Sequence, residues 1–193
     1  STLRNVVLSA QHKDGTITDG EEKIPLAHIP IERVFLKPSQ PEATPEALKA
    51  IEEADIIVLG PGSLYTSIIP NLLMKETTDA IVNAKGIKVY VCNVMTQPGE
   101  SDGYSASDHV KALVSHSHQK VFDYCIVNTG KIPPALLKRY EQENALPVVN
   151  DRKSMENMGY RVIGEDIVTT HNEVIRHDQV KLAKIIVGFL EEI

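Results

Sequence analysis

Tryptophan is absent from this 193-residue chain, and phenylalanine occurs only three times. This scarcity argues against a platform of stacked aromatic rings for single-stranded nucleic acid. Twenty Lys and Arg are outnumbered by 26 Asp and Glu, which gives a formal net charge of −6. A protein that holds the nucleic-acid backbone needs a concentrated basic face. We therefore expect no nucleic acid among the partners of this chain.

Long apolar runs and a signal peptide are missing as well. No stretch approaches the roughly 20 apolar residues of a membrane-spanning helix, and no basic segment followed by an apolar one begins at Ser1. The two cysteines, Cys92 and Cys125, each lie in an apolar run without a CxxC pair, which indicates buried thiols and argues against a zinc site. These features favour a cytoplasmic protein without a membrane span.

The first 38 residues are rich in β-branched side chains on both sides of a turn signal. Asp14-Gly15 tolerates the positive φ of a tight hairpin, so we predict strands near 4–11 and 16–23. A third strand is expected at 31–37, before an extended connection that contains three prolines. The sequence thus predicts a β-rich segment at 1–38.

The rest of the chain, 39–193, is interpreted as an α/β nucleotide-binding core in which strands and helices alternate. The predicted strands are 55–59, 87–94, 122–128 and 147–149, with two further short strands between 160 and 177. The predicted helices are 64–84 with a break near Pro70, 106–117, one from Pro134 and one from 178 to the end. Such alternation is typical of a Rossmann-like parallel sheet with helices on both faces.

Two helices carry particular signals. Thr44, Pro45 and Glu46 predict a helix start with a hydroxyl cap, proline at the first position and an acid in the first turn. The last helix is amphipathic, and its apolar residues suit one broad buried face: Val180, Leu182, Ala183, Ile186, Val187 and Leu190.

Ligands of open parallel sheets bind beyond the carboxyl ends of the strands. The first loop expected at that edge follows the strand DIIVLG and contains Gly60, Gly62, Ser63 and Thr66. Its glycines allow close approach of the backbone, and the following helix directs free N–H groups at an anion. We predict a phosphate-binding turn, although the motif is neither a Walker loop nor GxGxxG. The alternative is a plain strand-to-helix turn that Ser63 caps.

A second, long loop opens at Asn93 and contains Asp102 and His109. Loops of this length in compact domains are often functional. Its acids and histidine could move protons, and Asp102 could bind Mg²⁺. The alternative is that the loop merely caps the next helix through Ser107 or Asp108.

Three other polar residues have both a functional and an ordinary interpretation. Asn128, at the start of a third loop, could read ribose hydroxyls or a base edge, or could serve the turn alone. Arg176 is a natural bidentate partner of a diphosphate, although a lone arginine there is usually a surface residue. Tyr140 lies on a predicted helix, where packing is the commoner role. No nucleophile or general base is apparent, so the catalytic residues stay unassigned.

Two long motifs carry more than local chemistry: ADIIVLGPGSLYTSIIPNLL and VYVCNVMTQPGESDGYSASDHVKAL. They resemble the gluconeogenesis factor family, the YvcK-like branch of the CofD-like proteins, and the opening STLRNVVLSAQHKDGTITDGEEKI resembles that family's β-rich segment. Members of the family are longer and begin with a Gly-rich strand–turn–helix. We therefore expect this chain to correspond to the C-terminal two-thirds of such a protein.

The resemblance implies a Rossmann-type fold and a cytosolic factor that binds UDP-sugars such as UDP-N-acetylglucosamine or UDP-glucose. It also implies a role that links carbon metabolism, during gluconeogenic growth, to cell-wall synthesis and cell shape. Tyr140 and Arg176 match positions that the family associates with sugar-nucleotide contact.

Two alternatives stay open at this point. A CofD-type 2-phospho-L-lactate transferase would use a nucleotide-activated donor and Mg²⁺, with Asp102 as a metal ligand. The amphipathic last helix would also allow a homo-oligomer or a partner platform.

Overall fold

A computed structural model describes residues 2–192 of the chain. The first three strands form an antiparallel sheet in the order β2-β1-β3, with β1 at Val7–His12, β2 at Ile17–Asp19 and β3 at Ile31–Lys37. The Asp14 carboxylate closes the hairpin by accepting hydrogen bonds from the N–H and the hydroxyl of Thr16. β2 ends earlier than predicted because the N–H groups of Lys23 and Ile24 both turn back to the carbonyl of Gly20.

Four parallel strands form the central sheet in the order β4-β5-β6-β7: Ile56–Leu59, Ile87–Val91, Tyr124–Asn128 and Arg161–Glu165. The helices are α1 (Pro45–Glu53), α2 (Ile69–Leu72), α3 (Lys75–Asn83), α4 (Ala106–Ser115), α5 (Pro134–Gln142), α6 (Arg152–Asn157) and α7 (Gln179–Gly188). A short antiparallel pair, β8 (Val168–Thr169) and β9 (Arg176–His177), precedes α7. The mixed α/β fold with a parallel sheet is therefore confirmed.

Alternation along each strand builds two apolar layers. Tyr90 on β5 belongs to a large cluster that also contains residues of α3, α4, α6 and the antiparallel sheet, such as Leu36. Its neighbours Val89 and Val91 face the opposite side, where they pack with Leu182 and Phe189 from the C-terminal region. The β-rich segment thus shares its core with one face of the parallel sheet.

Several predicted elements differ from the structure. The predicted helix 64–84 is interrupted after α2 and not at Pro70, because proline near a helix start leaves no hydrogen bond unmade. Residues 147–149 make only isolated bridges, Met95 with Pro147 and Ser105 with Val149, so they form no strand. The helix α6 was not expected from the sequence.

The ends of two helices test the capping signals. Thr44 caps α1 as predicted and accepts a hydrogen bond from the N–H of Ala47. The cap of α4 is Ser105, neither Ser107 nor Asp108. Asp108 instead completes a capping box, because its carboxylate accepts from the N–H of Ser105 at 3.1 Å.

The predicted buried face of the last helix is largely wrong. Leu182 is buried, but Val180, Val187 and Leu190 are 64%, 55% and 44% exposed. The helix packs on the parallel sheet through Leu182, with Ile186 only partly buried, so the sheet covers only part of the apolar arc. None of the helices described in residues 2–192 combines the length and apolarity required to cross a membrane.

His116 connects α4 to the antiparallel sheet. Its Nδ1–H donates to the carbonyl of Ala112, and its Nε2 accepts from the N–H of Val34 at 3.0 Å. Burial lowers the pKa of His116, because desolvation disfavours the charged ring. Protonation would also place a hydrogen on Nε2, opposite the N–H of Val34.

This geometry predicts an acid-sensitive fold. An unfolded histidine titrates near pH ~6.5, and the folded value lies below it, so the unfolded state binds more protons as the pH falls. We expect the free energy of unfolding to decrease as pH is lowered from about 7 through 6.5. Urea unfolding of His116→Gln should show a smaller decrease, whereas the exposed His118→Gln should match the parent. An equal pH dependence in all three proteins would contradict this assignment.

Candidate functional site

A cleft of about 890 Å³ lies beyond the carboxyl ends of β4 and β5, beside β9 and the start of α7. This volume falls in the range of ~300–1,000 Å³ that is common for small-molecule sites. Its polar lining comes from three segments that are distant in sequence: Gly62, Ser63, Asn93, Gln97, Arg176 and His177. The apolar lining on the α7 side includes Leu182, Ala183 and Ile186. The cleft therefore combines polar and apolar lining residues, and α7 also contributes the polar Gln179.

The turn after β4 forms one side of the cleft. Gly60 has φ 87°, and a Cβ atom there would lie 3.0 Å from the carbonyl oxygen of Val91, so the turn requires glycine. Gly60 lies outside the cleft lining, whereas Gly62 and Ser63 belong to it. The side-chain amide of Asn93 donates to the carbonyl of Gly62 at 3.0 Å and fixes the turn against β5.

Thr66 lies on the other side of this turn. The segment Leu64–Ile68 is a π-helix whose N–H groups at Ser67 and Ile68 both donate to the carbonyl of Ser63. The Thr66 hydroxyl donates to the Glu100 carboxylate at 2.8 Å, and the N–H of Tyr65 donates to the same carboxylate at 3.1 Å. The donors at 65 and 66 are therefore held by the protein itself.

Arg176 lines the same cleft as the glycine turn. Its side chain is exposed, and within the described part of the chain it forms no ion pair with a carboxylate. Tyr140 supports β9, the strand that contains Arg176, because the Tyr140 hydroxyl accepts from the N–H of the preceding residue, Ile175, at 3.0 Å. Tyr140 itself packs beneath the cleft with Val94 and Ile175. Arg176 thus lines the cleft and has no carboxylate partner in the described part of the chain.

His177 follows Arg176 and was not singled out from the sequence. Its Nε2 lies 3.1 Å from the carbonyl oxygen of Cys92, so this nitrogen carries the hydrogen and Nδ1 is an acceptor in the neutral ring. Burial lowers the pKa of His177, which favours that neutral form. The ring ties β9 to the end of β5 and so closes the back of the cleft.

Asp102 and Asn128 do not line the cleft. The Asp102 carboxylate accepts from the N–H of Gly99 at 2.8 Å within its own loop. The Asn128 side chain accepts from the N–H groups of Gly130 and Ile167 and donates to the carbonyl of Gly130. Both residues thus have local structural partners, and for Asn128 this agrees with the turn-chemistry alternative.

His109 is fully buried in α4, and its Nδ1 lies 2.9 Å from the carbonyl of Ser105. Burial lowers the pKa of His109, which favours the neutral ring. His109 does not line the cleft. Among residues 2–192, no group of three or more His, Cys, Asp or Glu is arranged to hold a metal ion. Cys92 and Cys125 are free and buried, as predicted.

The chemistry that this cleft offers is the recognition of an anionic, polar ligand. Backbone N–H groups at Gly62 and Ser63 and the Arg176 guanidinium are donors that suit phosphate oxygens. Asn93 and Gln97 add side-chain amides at the same edge. Gln97 could have been found from the sequence, since it belongs to the long loop already expected there.

Comparison with known proteins supports the relation of this chain to one family. The family model described as 2-phospho-L-lactate transferase CofD matches residues 1–168. The gluconeogenesis factor of Bacillus subtilis is 47% identical over 188 residues, which cover 97% of this chain and 59% of the relative. The gluconeogenesis factor of Listeria monocytogenes is 39% identical over 190 residues, with 98% and 58% covered.

A solved structure agrees with these sequence relatives. The crystal structure of a protein of the UPF0052 family from Bacillus halodurans matches with a TM-score of 0.93 and 41% identity. The match covers 96% of this chain and 60% of that protein. This chain therefore spans about 60% of the length of the relatives that it matches.

Proposed function

Since the chain belongs to the CofD family, in which its relatives are gluconeogenesis factors, we propose that it binds a UDP-sugar in the cleft beside β9. The observation that carries this proposal is that Arg176 lines the same cleft as the Gly62–Ser63 turn, although the two are distant in sequence. A diphosphate presents oxygens on two sides, which suits a guanidinium on one side and backbone N–H groups on the other.

The rest of the cleft suits the remaining parts of such a ligand. Asn93 and Gln97 offer their side-chain oxygens as acceptors to sugar or ribose hydroxyls, since their NH₂ groups already donate to Gly62 and Glu100. Leu182 and Ile186 of α7 offer an apolar wall against which a pyranose or uracil ring can lie. UDP-N-acetylglucosamine and UDP-glucose both meet these requirements.

Calorimetric titration with both UDP-sugars tests the proposal. We expect saturable binding of at least one of them, and weaker binding of UMP, which has only one phosphate. Uridine, which has no phosphate, serves as the control for the anion-binding turn. Undetectable binding of both UDP-sugars at millimolar concentration would contradict the proposal.

Tyr140 provides a second prediction at this site. Tyr140→Phe removes the hydroxyl that accepts from the N–H of Ile175, next to Arg176. A neutral hydrogen bond contributes about 0.5–1.5 kcal/mol, so we expect UDP-sugar affinity to fall by roughly 2- to 12-fold. Tyr160→Phe, which loses a hydroxyl contact to the carbonyl of Gln119 away from the cleft lining, is the matched control. Equal affinities in Tyr140→Phe and the parent would contradict the positioning of β9 by this hydroxyl.

At the level of the cell, we propose a regulatory role that links carbon metabolism in gluconeogenic growth to cell-wall synthesis and cell shape. The name of the relatives supports the first part, and binding of a wall-precursor nucleotide would connect the two. Complementation of a strain that lacks the gluconeogenesis factor tests this role. The parent should restore growth on a gluconeogenic carbon source and normal shape, and Arg176→Ala should fail.

A 2-phospho-L-lactate transferase is the alternative that the family model's description favours. The residues present do not fit the Mg²⁺ ion that this activity implies, because residues 2–192 contain no group of three or more His, Cys, Asp or Glu that could hold a metal ion, and Asp102 lies outside the cleft lining. Incubation with a nucleotide-activated phospholactate and the deazaflavin alcohol tests this alternative. If Asp102→Asn forms product at the same rate as the parent, the Asp102 carboxylate is not needed for the transfer reaction.

Self-association stays a prediction that the exposed residues of α7 motivate. Val180 and Val187 of α7 expose apolar surface, as does Leu190 in the short 3-10 helix that follows it. Light scattering across a concentration series tests it, and a monomer at high concentration would contradict it.

A further inference from the structure

Glu100 carries a buried carboxylate next to the cleft. None of the proposed ligand contacts involves this carboxylate. Only 3% of its surface is exposed. It accepts three hydrogen bonds: from the N–H of Tyr65 at 3.1 Å, from the Thr66 hydroxyl at 2.8 Å and from the side-chain amide of Gln97 at 3.0 Å. Within the described part of the chain, no Lys, Arg or His forms an ion pair with it.

This arrangement is costly for stability alone. Burial raises the pKa of Glu100, and the hydrogen bonds from Thr66 and Tyr65 only partly oppose that effect. A buried charge without a partner of opposite sign is generally less favourable than a neutral group of the same volume. The carboxylate therefore calls for a role besides packing.

The three donors connect both polar walls of the cleft. Tyr65 and Thr66 follow Gly62 and Ser63 after one intervening residue, Leu64, and Gln97 lines the cleft from the long loop. Glu100 thus joins the turn to the loop from inside the protein, while Asn93 holds the carbonyl of Gly62 from the β5 side. The turn is fixed at both of its ends.

We propose that Glu100 is a positioning residue that orients the amide groups of Gly62 and Ser63 toward the cleft by anchoring the turn at Tyr65–Thr66 and the loop at Gln97. By occupying the donors at 65 and 66, it also confines a ligand anion to the donors at 62 and 63. This inference rests on the proposed UDP-sugar site and adds an inner residue to it. Glutamine keeps only one acceptor oxygen, so its NH₂ group faces either the Tyr65 N–H, which cannot accept, or the Thr66 hydroxyl and the Gln97 amide, which would have to turn to accept.

The test compares Glu100→Gln with the parent in two independent measurements. Amide NMR of the ligand-free protein should show shifted Gly62 and Ser63 resonances and faster hydrogen exchange at Tyr65. Calorimetry should show UDP-sugar affinity reduced by about 3- to 10-fold, as expected when a preorganised segment must be ordered on binding. Glu76→Gln is the matched control, since the Glu76 carboxylate also accepts from a backbone N–H, at Ala43, but far from the cleft lining.

Each outcome decides the inference. Unchanged Gly62 and Ser63 resonances in Glu100→Gln would overturn it, as would equal shifts in Glu76→Gln. If Glu100→Gln does not fold, Thr66→Ala removes one donor and should shift the same two resonances. If the parent binds no UDP-sugar, the proposed function fails, and the resonances of the ligand-free protein still decide the role of Glu100.

Discussion

Arg176→Ala is expected to weaken UDP-sugar binding by about 10- to 150-fold. A hydrogen bond to a charged group contributes roughly 1.5–3 kcal/mol, and every 1.4 kcal/mol corresponds to about a factor of ten in Kd. Arg176 is exposed and lines the cleft, so its truncation removes ligand contacts without disturbing the core. Calorimetric titration with UDP-N-acetylglucosamine measures the effect.

Arg161→Ala is the matched control for this loss. Its guanidinium is also exposed, but it lies at the amino end of β7 and donates to the Tyr124 hydroxyl at 2.6 Å. We expect Arg161→Ala to bind the UDP-sugar with the affinity of the parent. If Arg176→Ala binds the UDP-sugar with the affinity of the parent, the Arg176 guanidinium does not contact the ligand.

Gly99→Ala is expected to destabilise the fold by about 2–6 kcal/mol. Gly99 has φ 79°, and a Cβ atom there would lie 1.9 Å from the carbonyl oxygen of Pro25. Backbone strain of this kind costs about 1–3 kcal/mol, and a steric overlap in a packed region adds a similar amount. Urea unfolding followed by circular dichroism measures the loss.

Gly103→Ala separates strain from overlap in the same loop. Gly103 has φ 69°, but nothing lies within 4 Å of its added Cβ, so only the backbone cost of about 1–3 kcal/mol applies. Gly99→Ala should therefore be the less stable of the two variants. Equal losses would show that the loop does not rest on the β-rich segment at Pro25.

The fold class follows from the alternation of strands and helices, since a parallel strand needs a crossover before its neighbour. The last helix shows where this reasoning stops. The periodicity of α7 identifies a broad apolar arc, but it does not show which part of that arc contacts the sheet. Tertiary packing decides this, so the prediction wrongly placed Val180 and Val187 in the core.

The site shows a similar division. The rule that ligands bind at the carboxyl edge points to the turn after β4 and to the loop after β5, and a cleft at this edge contains Gly62, Ser63 and Asn93. The internal partner of the turn could not be predicted, because Glu100 lies 35 residues from Tyr65 in sequence. The cap at Ser105 could have been found, since Ser105 and Asp108 have the spacing of a capping box.

A crystal structure of the protein soaked with UDP-N-acetylglucosamine tests the central claim most directly. The account predicts diphosphate oxygens within hydrogen-bond distance, about 2.7–3.2 Å, of the backbone nitrogens of Gly62 or Ser63 and of the Arg176 guanidinium. A UDP-sugar that occupies another part of the molecule, with the cleft beside β9 empty, would contradict it.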